Sequence, residues 1–216
     1  MGDSFACAIL QDDGHNIDDG SVYCWGYGYY GQIGNGQRES SVEVSLTLLP
    51  TGAEAVQIAA GQNHACAILS NDSMYCWGLN DKGQLGDGTQ CQGGVFLNDC
   101  NGYGGKNSPV QVDLPANQVP IQVEPSSDGT CMVTKSYELY CWGYQHFILD
   151  GSGTPFLSPT EIGPATTRVA HSSFHGICAL STADQVECWG YNANNALGVS
   201  SPSSWMYGYG QAISQP

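Results

Sequence analysis

Apolar residues alternate along this chain with a period of two, in units that each close on the tripeptide Cys-Trp-Gly. In the clearest unit the alternation puts Cys66, Ile68, Met74 and Cys76 on one face of a two-stranded ribbon, and Ala67, Leu69, Tyr75 and Trp77 on the other. Both faces are apolar. That predicts a ribbon held between neighbouring sheets, not one with a single dry face. Between ribbons run proline-flanked segments and an extended apolar strand, seen as AVQIAAG, VPIQVEP and TRVAHS. Short strands at regular spacing, 29 glycines and a charged share of only 12% predict an all-β chain with tight turns and almost no helix. Four units divide the 216 residues as a single repeat domain, at about 1–52, 53–117, 118–165 and 166–216.

Each Cys-Trp-Gly has a second cysteine upstream on the partner strand, giving the pairs Cys7 with Cys24, Cys66 with Cys76, Cys131 with Cys141, and Cys178 with Cys188. In the last three the spacing is ten, and antiparallel pairing about Asn71, Ser136 and Ala183 sets the sulfurs opposite each other. A non-hydrogen-bonded pair brings such residues within disulfide reach. Cys91 and Cys100, inside a long insertion, are expected to form a fifth bridge. Zinc would want closer clusters than cysteines ten apart on facing strands. Ten cysteines in local pairs therefore predict an oxidising, extracellular setting. Each short bridge is worth roughly 2.5 to 3 kcal/mol by loop-closure entropy.

Aligned one under another, the units read GDSFACAIL with VYCWGYGYYGQIGNG, GQNHACAIL with MYCWGLNDKGQLGDG, SSDGTCMVT with LYCWGYQHFILDG, and FHGICAL with VECWGYNANNALG. This resembles the regulator of chromosome condensation repeat family, whose units carry G-x-x-H-x-C-A-L, Y-C-W-G and G-Q-L-G signatures. The match is fullest in the second unit, at His64, Cys66, Cys76, Trp77, Gly83, Gln84, Leu85 and Gly86. The third unit departs at Phe147, Ile148 and Leu149, and the fourth keeps only Leu197 and Gly198 of the glycine turn. The resemblance implies β-propeller blades. The family's nuclear member is a guanine-nucleotide exchange factor on chromatin, a role that the acidity and the bridges of this chain oppose.

Four cysteine hairpins are accompanied by only three of the apolar connector strands, so one sheet is expected to be a strand short. An unpaired edge is adhesive and is normally covered. Three arrangements satisfy this count: an excerpt of a longer propeller, a small incomplete ring, or pairing supplied by a neighbouring molecule. The third, if head-to-tail, generates a filament.

Twenty carboxylates face five cations, Arg38, Lys82, Lys106, Lys135 and Arg168, for a formal charge of −15. Such a surface repels phosphate backbones and anionic lipid, so neither nucleic acid nor membrane insertion is expected. No apolar run reaches the roughly 18 to 20 residues of a membrane span, and the first residues do not read as a signal peptide, so a secreted form would be a mature segment or an excerpt. His15, His64, His146, His171 and His175 are the available bases, but no nucleophile motif accompanies them, and His64 and His175 read as hydrogen-bonding the backbone of a neighbouring blade. No enzyme and no cofactor are expected. Asp12, Asp13, Asn16, Asp18 and Asp19 on the first hairpin tip offer oxygen ligands for calcium, but they miss the EF-hand spacing, and a solvated acidic loop is the preferred reading.

Asn71-Asp72-Ser73 is an N-x-S glycosylation sequon at a hairpin apex. Tyr27, Tyr29 and Tyr30 follow the first Cys-Trp-Gly, and Trp205, Tyr207 and Tyr209 follow the last, in stretches that read as comparable and as interface aromatics. The resulting expectation is a non-catalytic extracellular structural or interaction protein, self-associating into a filament or matrix. The alternative is a secreted glycan- or protein-binding module, lectin-like or inhibitor-like.

Overall fold

A computed structural model of the chain describes residues 2–10, 20–91, 104–144, 154–163, 165–172, 176–191 and 205–212. Fifteen strands form four antiparallel sheets, and no helix occurs among the described residues. The first sheet has three strands, β1 (Phe5–Ile9), β2 (Val22–Gly26) and β3 (Ser41–Leu46). The second runs β4 (Ala55–Ala60), β5 (His64–Leu69), β6 (Met74–Leu79) and β7 (Gly105–Gln111). The third runs β8 (Pro120–Pro125), β9 (Gly129–Thr134), β10 (Leu139–Gly143) and β11 (Phe156–Glu161). The fourth runs β12 (Thr166–Ser172), β13 (Gly176–Ser181), β14 (Val186–Tyr191) and β15 (Trp205–Ala212).

Local chemistry fixes each hairpin. Cys7–Cys24, Cys66–Cys76, Cys131–Cys141 and Cys178–Cys188 are bonded, with Cα atoms 4.0 to 4.1 Å apart, the close spacing of a non-hydrogen-bonded antiparallel pair. Cys91 is disulfide-bonded as well, while Cys100 lies outside the described residues. The glycine of Cys-Trp-Gly has a separate duty. Gly26, Gly78 and Gly143 take φ of 101°, 101° and 89° where the register shifts against the next strand, and a Cβ there would meet a backbone carbonyl at 2.5 to 2.6 Å. Only glycine accepts both conditions.

The last strand of each sheet is the element least visible in the alternation. β7 contains Pro109 and β11 contains Pro159, and both strands close a sheet, the position where a missing N–H breaks no ladder. The two aromatic stretches prove unlike. Tyr27, Tyr29 and Tyr30 sit in the loop between β2 and β3, whereas Trp205, Tyr207 and Tyr209 belong to β15, which pairs with β14.

The sheets stack in series, as blades. Three apolar clusters fill the three junctions. Phe5, Val22, Cys24 and Ile33 of the first sheet pack on Ala65, Ala67, Leu69 and Trp77 of the second. Cys66, Ile68, Met74, Cys76 and Leu85 pack on Met132, Tyr140 and Trp142 of the third. Cys131, Val133, Leu139, Cys141 and Ile162 pack on Val169, Ile177 and Ala179 of the fourth. Each sheet thus turns its cysteine face to its successor and its Trp-bearing face to its predecessor, as the two apolar faces of the ribbon predict.

Candidate interaction site

Three kinds of polar contact join successive sheets; among the described residues the first and third occur at two junctions and the second at one. In the first contact, an indole N–H reaches back to a backbone carbonyl: Trp77 Nε1 donates to Gln32 O at 2.8 Å, and Trp142 Nε1 donates to Gln84 O at 2.9 Å. The acceptor turn is held by the glutamine itself, whose Oε1 accepts from Tyr30 N at 2.9 Å in one case and from Lys82 N at 2.8 Å in the other. The glycine two residues on, Gly34 or Gly86, lies under the indole, where a Cβ would come within 2.9 Å of ring atoms. The G-Q-x-G signature is therefore a seat for the tryptophan of the following sheet.

The second contact is made by His64, fully buried. Its Nε2 lies 2.8 Å from Thr130 Oγ1, and that hydroxyl donates to Gln84 O at 2.8 Å. Since the single hydroxyl proton goes to the carbonyl, His64 Nε2 is the donor to Thr130. The histidine does bridge to the neighbouring sheet, but to a threonine hydroxyl and not to the backbone. His171 falls in β12, while His15, His146 and His175 lie outside the described residues.

The third contact links the innermost strands. Gln57 Oε1 accepts from Val123 N at 3.1 Å, and Gln122 Oε1 accepts from Val169 N at 3.0 Å while its Nε2 donates to Val169 O at 2.8 Å. No spacing rule marked these glutamines, although they share one place in AVQIAAG and VPIQVEP, beside an identical register shift. In the fourth sheet that place holds Arg168, which is exposed.

Against these junctions the first sheet stands open. Ala8, Tyr23, Trp25, Val44 and Leu46 share the face that, in the second and third sheets, packs on the predecessor. Trp77 and Trp142 are fully buried, whereas Trp25 is half-buried and its indole makes no hydrogen bond among the described residues. β3 adds Val42, wholly exposed, and Val44, 63% exposed. A groove of about 350 Å³ lies there, lined by Ala8, Ile9, Leu10, Tyr23, Trp25 and Val44. In the loop between β2 and β3, Tyr27, Tyr29 and Tyr30 form a ring cluster with centroids 5.6 to 6.4 Å apart, Tyr29 being 46% exposed.

Other predicted residues are accounted for singly. Asn71 is exposed at the β5–β6 tip, where its Oδ1 accepts from the Ser73 hydroxyl at 2.6 Å and Asp72 takes a φ of 66°. Asp12, Asp13, Asn16, Asp18 and Asp19 lie outside the described residues. Among the described residues no cluster of metal-ligating side chains forms, and no helix is long and apolar enough to cross a membrane.

One three-stranded and three four-stranded blades in series, joined by apolar junctions, define the class: a β-propeller-like repeat array. The Regulator of chromosome condensation (RCC1) repeat matches residues 19–68 and 71–133, and the chain belongs to that family. It is similar to the human E3 ubiquitin-protein ligase HERC2, 28% identical over 187 residues that make up 83% of this chain and 4% of that protein. It is also similar to the Ultraviolet-B receptor UVR8 of Arabidopsis thaliana, 33% identical over 57% of this chain and 25% of the receptor. The chain thus spans a small part of these relatives. In fold it superposes on human WBSCR16 with a TM-score of 0.79 at 17% identity, covering 100% of this chain and 52% of that one. Yeast RCC1 (Prp20), in a structure bound to Kap60, gives a TM-score of 0.77 at 21% identity, covering 99% and 47%.

Proposed function

We propose that this chain is a non-catalytic extracellular interaction scaffold whose copies associate head to tail, as a subunit of a filament or matrix. One observation carries the reading: the two outer faces of the array are the two unlike halves of an interface that the chain already makes three times within itself. At one end stands the Trp25 face. At the other stands the cysteine face of the fourth sheet, with Cys178, Leu180 and Val186 only half-buried. A heterologous contact of this kind repeats without closing on itself unless its rotation completes a ring. The buried bridges and the acidic surface support an oxidising, extracellular setting.

Sedimentation velocity over a hundredfold concentration range, paired with electron microscopy, tests the reading. Assembly that is lost in Trp25→Glu and retained in Tyr29→Ala is the expected result; a monomer at every concentration sinks it. A second reading rests on the Tyr27, Tyr29 and Tyr30 cluster, whose exposed rings suit stacking on a sugar face. Glycan-array binding lost on Tyr29→Ala, with no assembly, would favour that lectin-like role. Asn71 is the proposed glycan attachment position, and an unmodified Asn71 peptide from native material would reject it.

A further inference from the structure

The turn that seats Trp77 runs on into a reactive dipeptide. Gly36 has a φ of 81°, a conformation that favours glycine, and the residue before it is Asn35. In an Asn-Gly pair no side chain shields the asparagine carboxamide from the next backbone nitrogen. That nitrogen can attack Cγ, forming an N–C bond and expelling ammonia, and water then opens the cyclic imide to aspartate or to isoaspartate. The reaction needs a free Gly36 N–H and a carboxamide that can turn toward it.

In the folded chain both groups are held. Gly36 N donates to Asn107 O of β7 at 2.8 Å, and Asn107 Nδ2 donates back to Gly36 O at 2.6 Å. Asn35 is half-buried, and its Oδ1 accepts from Gln37 N at 3.0 Å. Since Asn107 lies on the outer strand of the second sheet, the lock on this dipeptide is made by the neighbouring repeat. The equivalent turn of the second sheet carries Asp87-Gly88, with the product residue already in place. There Gly88 N donates to Leu157 O of β11 at 3.0 Å, and Asp87 Oδ1 accepts from Thr89 N at 3.1 Å. An α-linked aspartate therefore suits this turn and keeps the bond to the next sheet.

We propose that Asn35 is a modification site guarded by the second sheet: it survives while that junction is closed, and it converts to isoaspartate when the junction opens. Isoaspartate routes the backbone through the former side chain and adds a methylene between residues 35 and 36. That shift takes the Gly36 N–H out of register with Asn107 O, next to Gly34, which lies under the Trp77 indole. An opening of the junction is thereby made permanent.

Peptide mapping by mass spectrometry that distinguishes aspartate from isoaspartate tests this, on the intact chain and on the reduced, alkylated chain held at the same mildly alkaline pH. Conversion at Asn35 is expected to be at least roughly tenfold slower in the intact chain, because it draws on the opened fraction alone. Asn107→Ala removes one of the two bonds across the junction, and should speed both conversion at Asn35 and amide exchange at Gly36 roughly threefold to tenfold. Exchange at Gly36 reports an opened junction even if that variant is less stable. Asn35→Asp, the α-linked product, should leave Gly36 protected, whereas isoaspartate-bearing protein recovered from aged material should not. Equal conversion in the intact and the reduced chain overturns the proposal. So does faster exchange at Gly36 with no gain in conversion, and so does an isoaspartate form in which Gly36 stays protected. None of these readouts depends on self-association, so the two readings can fail separately.

Discussion

The first and second sheets share one plan and end in opposite states. Both carry a stapled ribbon, a Cys-Trp-Gly bulge and a G-Q-x-G turn. Yet Trp77 is fully buried on Gln32 while Trp25 is half-exposed, and Cys66 is fully buried while Cys7 is not. Nothing in the ribbons themselves produces the contrast. It comes from what stands in front of each: the second sheet has a predecessor, and the first has none among the described residues. Burial in this fold is thus conferred by the neighbour. The apolar character of a ribbon records a surface meant to be covered, and β3 extends that record, with Val42, Val44 and Leu46 where β7 has Asn107, Pro109 and Gln111.

The harshest way to break the comparison is reduction. Four bridges valued at about 2.5 to 3 kcal/mol each rival the whole stability of a typical domain, about 5 to 15 kcal/mol, so full reduction should abolish the cooperative melting transition. At limiting reductant Cys7–Cys24 should open before Cys66–Cys76 and Cys131–Cys141, because Cys7 is accessible and both members of the other two pairs are fully buried. Differential alkylation with mass spectrometry reads the order, and simultaneous opening would contradict it.

Next in size are the tryptophans. Trp77→Ala removes a buried ring and its bond to Gln32 O and should cost about 3 to 5 kcal/mol in urea unfolding. Trp25→Ala should cost under about 1 kcal/mol as a monomer, since its ring is only half-covered. Equal losses would mean that the first sheet's face is covered after all. Gly86→Ala should cost at least roughly 2 kcal/mol, because the added Cβ meets Trp142 Nε1 at 2.5 Å on a backbone with φ of 72°.

The smallest effect is a dependence on pH. Burial lifts the Glu124 carboxyl above its ordinary value, partly offset by the hydrogen bond from Gln122 Nε2 at 3.1 Å. The folded state therefore holds this proton more tightly than the unfolded chain. The associated stability is present below the ordinary carboxylate range and is lost as pH rises through the raised value. Glu124→Gln should accordingly raise Tm by a few degrees near pH 7 and leave it unchanged below about pH 4. An equal gain at both would remove burial as the cause.

Much of the architecture is legible in the residues. Ten-residue cysteine spacing is enough to predict the ribbons and their register, and counting connector strands leaves one sheet a strand short, which the structure locates at the first hairpin among the described residues. Two things stayed hidden for physical reasons. The outer strands carry prolines or glycines, Pro109, Pro159, Gly208 and Gly210, which read as breaks because edge position is a property of the sheet and not of the segment. The seat of Trp77 and of Trp142 is a backbone carbonyl, which no side-chain pattern reveals; only the glutamine and glycines that shape its turn leave a trace. The Gln57 and Gln122 contacts were likewise invisible until strands far apart in sequence came together.

The direction of the indole contact has a bearing on biogenesis. In both contacts the carbonyl belongs to the earlier repeat and the tryptophan to the later one, separated by 45 residues for Gln32 and Trp77 and by 58 for Gln84 and Trp142. During synthesis, which proceeds from the amino end, each receiving turn is made before the ring that will occupy it. The second and third ribbons thus emerge onto finished landing places, and these two junctions can mature in the order in which they are translated.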